Sequence, residues 1–292
     1  MSEGGSAIEE ITGIEAGNAL DDLNGRETPA VLRGLCADWP LVRAAGDRSE
    51  VERLLRDHYE GAPVTAFLGG PESGGRIFYN DDISALDFDQ VRMRLDEVLE
   101  RIREAEAASP PPTVYMGSMA LDHCLPGMKP AHALTSDEFP ASVRIWIGNR
   151  TRVAAHHDVL DNVACVCVGR RRFRLFPPER LADLYLGPID LTPAGQQVSL
   201  VDPGSPDLDR FPRYARALEA SLVAELEPGD AIYIPSMWWH QVHALSPLNI
   251  LINHWWRDLP RWMGAPGDVL MHALMNLRGL PKRQREAWRA LF

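Results

Sequence analysis

From Thr113 to Trp256 the apolar positions fall in short runs, "TVYMGSM", "SVRIWIGN", "NVACVCVG", "RRFRLFPP", "AIYIPSMWWHQV" and "NILINHWW", separated by Gly, Pro, Asn and Asp. Runs of this length, rich in β-branched and aromatic residues and punctuated by turn formers, predict antiparallel strands closing into a sandwich or barrel. The flanks read differently. Upstream, "VERLLRDHYEG" spaces its apolar residues as one helix face and stops at a glycine, and "FDQVRMRLDEVLERIREAEAA" reads as one longer amphipathic helix ended by "SPPPT". Downstream, "GDVLMHALMNLRGL" and "KRQREAWRALF" predict two helices separated by Pro281. The proline run is the clearest boundary. It gives a mixed α/β region over 1–112 packing on a β-rich region over 113–256, followed by a helical segment over 257–292.

Composition narrows the class. With 45% hydrophobic and 24% charged residues, the chain can bury a substantial core. A net charge of −11 and a pI near 5.3 exclude a general basic surface for nucleic acid. "MSEGGSAIEE" has acids where a signal peptide carries basic residues, and no stretch approaches the apolar length of a membrane span, so a cytoplasmic protein is expected. Four cysteines do not make a disulfide framework, and Cys165 and Cys167 read as small core residues. "GGPESGG" lacks the Lys-Ser/Thr of a phosphate loop and reads as a flexible surface loop.

Candidate chemistry begins at "RVAAHHDVLDN", residues 152–162. On a strand, His156 and Asp158 point to one face and His157 to the other. A histidine and a carboxylate so placed hold a metal only if a third ligand arrives from elsewhere. "ELEPGDAIYIPSMWWHQVHAL" offers one: a Pro-Gly-Asp turn, an apolar strand, a break at Pro235 and Ser236, then His240. Two imidazoles and one carboxylate on one face of a metal form the facial triad of non-haem Fe(II) sites, which leaves positions open for other ligands. His243 and His254 are rival third ligands, and a histidine beside two tryptophans also fits a hydrogen-bonded aromatic core.

The combination of H-x-D, Gly169 and its basic run leading to "LFPP", "PGD" with a strand and "WWH", and the final "NILINHWW" closely resembles the JmjC, cupin-like family of Fe(II)/2-oxoglutarate-dependent oxygenases. The likeness is strongest to its branch of small hydroxylases, which includes an asparaginyl hydroxylase. It covers residues 113–256, with a weaker match through "ETPAVLRGLCADWPLV" and "GGRIFYNDD". The resemblance implies a double-stranded β-helix of the jelly-roll type with flanking helices. It implies Fe(II) held by His156, Asp158 and His240, with 2-oxoglutarate and O₂ as cosubstrates. Arg171 stands where the family carries a basic residue, usually lysine, for the distal carboxylate of 2-oxoglutarate. Tyr115 matches a tyrosine that reaches the same carboxylate, and Asn162 and Asn253 match polar residues near the cosubstrate. Two departures stand out: arginine replaces lysine, with a longer fork of donors, and Val153 replaces a threonine. Alternation puts Arg171, Phe173 and Leu175 on one face and Arg170, Arg172 and Arg174 on the other.

The implied activity is hydroxylation of a protein side chain or small molecule; no reader domain or zinc motif accompanies the barrel to favour demethylation. The other classes are a cupin of non-oxidative metal chemistry, which generally offers three histidines and a glutamate, and a binding module that keeps only the fold. Leu270, Leu274 and Leu277 form an apolar stripe that a short appendage cannot bury alone, so either homodimerisation through the C-terminal helices or packing back on the barrel of the same chain is expected.

Overall fold

The structure, a computed structural model, describes residues 5–136, 138, 140–202, 204–258, 263 and 266–291. Fourteen strands are named: β1 (Ser6–Ala7), β2 (Ala30–Leu32), β3 (Val64–Gly69), β4 (Arg76–Ile77), β5 (Asp89–Met93), β6 (Thr113–Ala120), β7 (Ser142–Gly148), β8 (Arg152–His157), β9 (Asp161–Val168), β10 (Arg171–Phe176), β11 (Leu222–Leu226), β12 (Ala231–Ile234), β13 (Trp239–Ala244) and β14 (Asn249–Trp256). The helices are α1 (Ala19–Leu23), α2 (Pro40–Arg43), α3 (Arg48–Asp57), α4 (Leu95–Glu106), α5 (Leu121–Cys124), α6 (Tyr214–Glu219), α7 (Pro266–Leu277) and α8 (Lys282–Arg289).

The strands form two sheets. One has the order β1-β11-β10-β13-β8-β4, the other β2-β12-β9-β14-β7-β6-β3-β5. This is the jelly roll expected from the sequence. Between the sheets lies a core that includes Val166, Phe173, Leu175, Ile232, Ile234 and Leu251, all buried. A larger core, with Leu20, Leu55, Leu99, Ile145, Ile147 and Ile252, fills the outer face of the eight-stranded sheet beneath the N-terminal helices. That second cover explains why β9 reads as a continuous apolar run: it is buried on both faces, with Cys165 and Cys167 fully inside.

The N-terminal residues do more than pack on the barrel. β3 and β5 extend the eight-stranded sheet beyond β6, β2 pairs with β12, and β4 and β1 run parallel to β8 and β11 at the edges of the other sheet. Residues Met1–Trp256 accordingly make one compact unit with no division at the proline run. Two local expectations need correction. The long helix expected over 88–108 is strand β5 followed by α4, because pairing of Asp89–Met93 with β3 outweighs a weak local helical pattern. The glycine-rich segment is an ordered turn: Pro71–Ser73 form a helical turn, Ser73 is buried against the Thr113 hydroxyl at 2.8 Å, and a Cβ on Gly75 would lie 2.2 Å from the Arg150 carbonyl.

Residues Arg257–Phe292 form a second unit, of which α7 and α8 are described. On α7, Val269, Leu270, Leu274 and Met275 are exposed. Among the described residues no helix is long and apolar enough to cross a membrane.

Candidate metal centre and the adjoining cavity

β8 and β13 are antiparallel neighbours in a register that sets His156 opposite His240 and His157 opposite Trp239. Alternation does the rest. The His156 and His240 rings face each other with centroids 4.3 Å apart, while His157 turns to the opposite face and packs on Trp239 at 4.5 Å. Asp158 sits one residue beyond β8, where its carbonyl accepts from Met237 N–H at 2.8 Å. Met237 adopts φ +68°, a left-handed turn that brings the chain from Pro235 into β13. The turn fixes His240 beside the aspartate, with His240 Nε2 3.7 Å from Asp158 Oδ2. One ligand atom from each of His156, Asp158 and His240 lies within 4.8 Å of the others. No other group of three or more potential ligands converges in this way among the described residues.

The imidazoles are held in a state that suits a metal. His156 Nδ1 lies 2.9 Å from the Ala154 carbonyl and His240 Nδ1 lies 3.2 Å from the Trp238 carbonyl. A carbonyl only accepts, so in the neutral form of each ring Nδ1 carries the proton and Nε2 is the nitrogen left to bind a metal. Burial, with His156 next to it, pushes the pKa of His240 down to about 4, so this ring is neutral at pH 7. Of the rivals, His254 is fully buried on the other side of the eight-stranded sheet, accepting from Leu134 N–H and facing Trp39. His243 lies opposite Arg152, outside the converging set.

The three residues line one wall of a cavity of about 580 Å³ between the sheets. Arg171, on β10 in the same sheet as both histidines, reaches into it and is only 2% exposed. Among the described residues its Nε and Nη2 have no hydrogen-bond partner, and burial lowers its pKa. Tyr115, on β6 of the opposite sheet, lines the same cavity and is stacked on Trp146 at 5.8 Å; burial raises its pKa. Asn253 donates its side-chain amide to Asn162 Oδ1 at 2.8 Å, and Asn162 in turn points its own amide at Asp158 Oδ2 at 3.5 Å. The neighbouring arginines have other roles: Arg170 and Arg172 pair with Glu225, and Arg174, buried although on the outward face, donates to Ser221 Oγ.

Sequence reasoning missed two contributors, Gln196 and Trp146, whereas Trp255 reads from the sequence as core or pocket wall. Gln196, in the loop between β10 and β11, donates to Asp158 Oδ1 at 3.2 Å. Trp146 and Trp255 wall the cavity edge to face at 6.1 Å, with both indole N–H groups buried and without acceptors. The loop carries no periodic signal that would aim Gln196. The tryptophans sit at strand positions whose alternation was readable, but which sheet faced the cavity was not.

Two sheets enclosing a converging His-Asp-His set and a deep interior cavity define a cupin-type jelly roll, and the chain belongs to the cupin-like family: the model of the cupin-like domain matches residues 17–261. It is of the JmjC type. Among curated proteins it is similar to Lysine-specific demethylase JMJ31 of Arabidopsis thaliana, 32% identical over 40% of this chain and 21% of that protein. It is also similar to tRNA wybutosine-synthesizing protein 5 of Gallus gallus, 32% identical over 50% of this chain and 45% of that protein. HSPB1-associated protein 1 of Homo sapiens is 33% identical over 38% of this chain and 22% of that protein. The chain thus spans less than half the length of these relatives.

Proposed function

We propose that the protein is an Fe(II)- and 2-oxoglutarate-dependent oxygenase that hydroxylates a protein side chain or a small molecule. The observation that carries this reading is a buried guanidinium without an anion in the same cavity as a converging His-Asp-His set. A charge taken out of water costs several kcal/mol unless paired. Among the described residues nothing supplies the pair for Arg171 Nε and Nη2. A dicarboxylate that reaches from the metal ligands to Arg171 does, and its fork geometry suits a carboxylate.

His156, Asp158 and His240 would hold the iron, which with 2-oxoglutarate and O₂ supplies transfer of one oxygen atom to the substrate while 2-oxoglutarate is converted to succinate and CO₂. The chain's own residues do the rest. Arg171 binds and orients the distal carboxylate, and the Tyr115 hydroxyl serves as a second donor. The Asn253–Asn162 relay fixes an amide at Asp158 and leaves polar atoms towards the cosubstrate. Phe173, Ile234, Val242 and Leu251 line the cavity with apolar surface and keep water from the reacting centre. Val153, also on the wall, supplies no hydrogen bond, which leaves the anchoring to Arg171 and Tyr115.

A lysine-specific demethylase and a tRNA wybutosine-synthesizing protein are among the relatives, and removal of a methyl group by hydroxylation would use the same residues. The test incubates the iron-loaded protein in lysates with and without 2-oxoglutarate and follows substrate mass. A gain of about 16 Da supports hydroxylation, and a loss of about 14 Da supports demethylation. Absence of both, together with no binding of 2-oxoglutarate, overturns the reading.

A further inference from the structure

Asp158 is the one proposed metal ligand outside the strand ladder, so alternation does not fix its side chain. Something else must. Its Oδ2 faces His240 Nε2 at 3.7 Å, and its other oxygen, Oδ1, accepts from Gln196 Nε2 at 3.2 Å. The loop that delivers this amide is pinned throughout. Gly195 adopts φ +97° and donates to Thr192 Oγ1 at 3.0 Å, closing a local turn. Gln197 donates to the Gly187 carbonyl at 2.7 Å, and Ser199 N–H donates to the Ala155 carbonyl of β8 at 2.8 Å. The loop is therefore fastened to the strand that carries His156, three residues after Gln196.

We propose that Gln196 is a positioning residue: its amide holds Asp158 Oδ1 away from the metal position, leaving Oδ2 turned to the histidines and the carboxylate to bind through one oxygen. The assignment rests on the metal site proposed above. An amide is the right group for the task. It donates a hydrogen bond without adding charge, whereas a carboxylate there would repel Asp158 and a lysine would compete with the metal for it. Partners that orient metal-ligating side chains typically change metal affinity ten- to a hundredfold when removed.

Co(II) is the probe, because its visible bands report coordination geometry as well as binding. Gln196→Met keeps the length of the side chain and deletes the donor. It is expected to raise the Co(II) dissociation constant ten- to a hundredfold and to shift the bands at saturation as the freed carboxylate rotates. Gln197→Ala cuts a tether of the loop without touching Asp158 and is expected to keep the wild-type bands. Wild-type affinity and bands in Gln196→Met overturn the assignment, as does an equal change in both variants, which would credit the loop as a whole. A wild-type protein that binds no Co(II) is a different failure: it overturns the metal site itself.

Discussion

Replacing Arg171 by methionine should make the protein more stable and less functional at once. The guanidinium is 2% exposed, two of its nitrogens lack partners among the described residues, and burial already lowers its pKa. Even buried ion pairs, replaced by apolar groups of similar volume, often leave a protein unchanged or more stable by about 1–4 kcal/mol, and an uncompensated buried charge costs more than a pair. About 2 kcal/mol in a domain of this size raises Tm by roughly 4–8 °C. With Mn(II) present, 2-oxoglutarate at about a hundred times its Kd stabilises the wild type by about 2.7 kcal/mol. Two charge-assisted hydrogen bonds, at about 1.5–3 kcal/mol each, go with the guanidinium, so the variant's affinity should fall by two orders of magnitude or more. Thermal melts of both proteins with and without 2-oxoglutarate read both effects. The expected pattern is a crossing: the variant melts higher when unliganded, and only the wild type responds to the ligand. A variant that melts lower and still responds would refute the claim that Arg171 is an uncompensated charge awaiting a carboxylate.

Four further outcomes are expected. Alanine at His156, Asp158 or His240 should abolish stoichiometric Fe(II) binding, whereas His157→Ala should retain it; full occupancy in His240→Ala with loss in His243→Ala would reassign the third ligand. Tyr115→Phe should raise the KM for 2-oxoglutarate by about tenfold, the worth of about one hydrogen bond, with little change in kcat; an unchanged KM would remove Tyr115 from the anchor. Burial pushes the pKa of His254 down to about 3 from an ordinary 6.5, so as pH falls the unfolded chain takes the proton first. The stability this neutral ring confers is complete above pH 6.5 and lost progressively down to about pH 3, by up to about 5 kcal/mol; urea unfolding of His254→Gln should show a weaker acid dependence than wild type, and an unchanged slope would contradict it. The apolar face of α7, with Leu270 57% and Leu274 43% exposed, is proposed to pair with its counterpart in a second copy, and sedimentation of a protein ending at Asp258 should then give a monomer where the full chain gives a dimer.

What was legible in the sequence had short-range causes. The six strand runs after Thr113 each became one strand or, at the Pro235–Ser236 break, two. The separation of His156 from His157 follows from alternation alone. The segments that misled were those decided by distant partners. Asp89–Met93 became a strand because β3 offered an edge, and the "GGPESGG" turn is ordered because Thr113 and the Arg150 carbonyl lie against it. Arg174 alternates outward as expected yet is buried, because position on a strand says which face a residue joins and not what covers that face. Gln196 shows the same limit at the site: 38 residues from Asp158, its role depends on where a loop returns.

The place of β14 matters for how the protein is made. The last strand of the compact unit to leave the ribosome enters the middle of the eight-stranded sheet, between β9 and β7. Until Trp256 has emerged, β7 and β9 both wait with an unpaired edge, and β9 is apolar on both faces. Nascent chains longer than about 170 residues but short of about 250 therefore carry two adhesive edges with no partner yet synthesised, the kind of surface that pairs with other chains. Closure is a single late event that joins distant residues on both sides of β14, such as Asn249 with Gly148 and Trp256 with Asp161, and slow, all-or-none maturation after release is the expected behaviour of such long-range pairing.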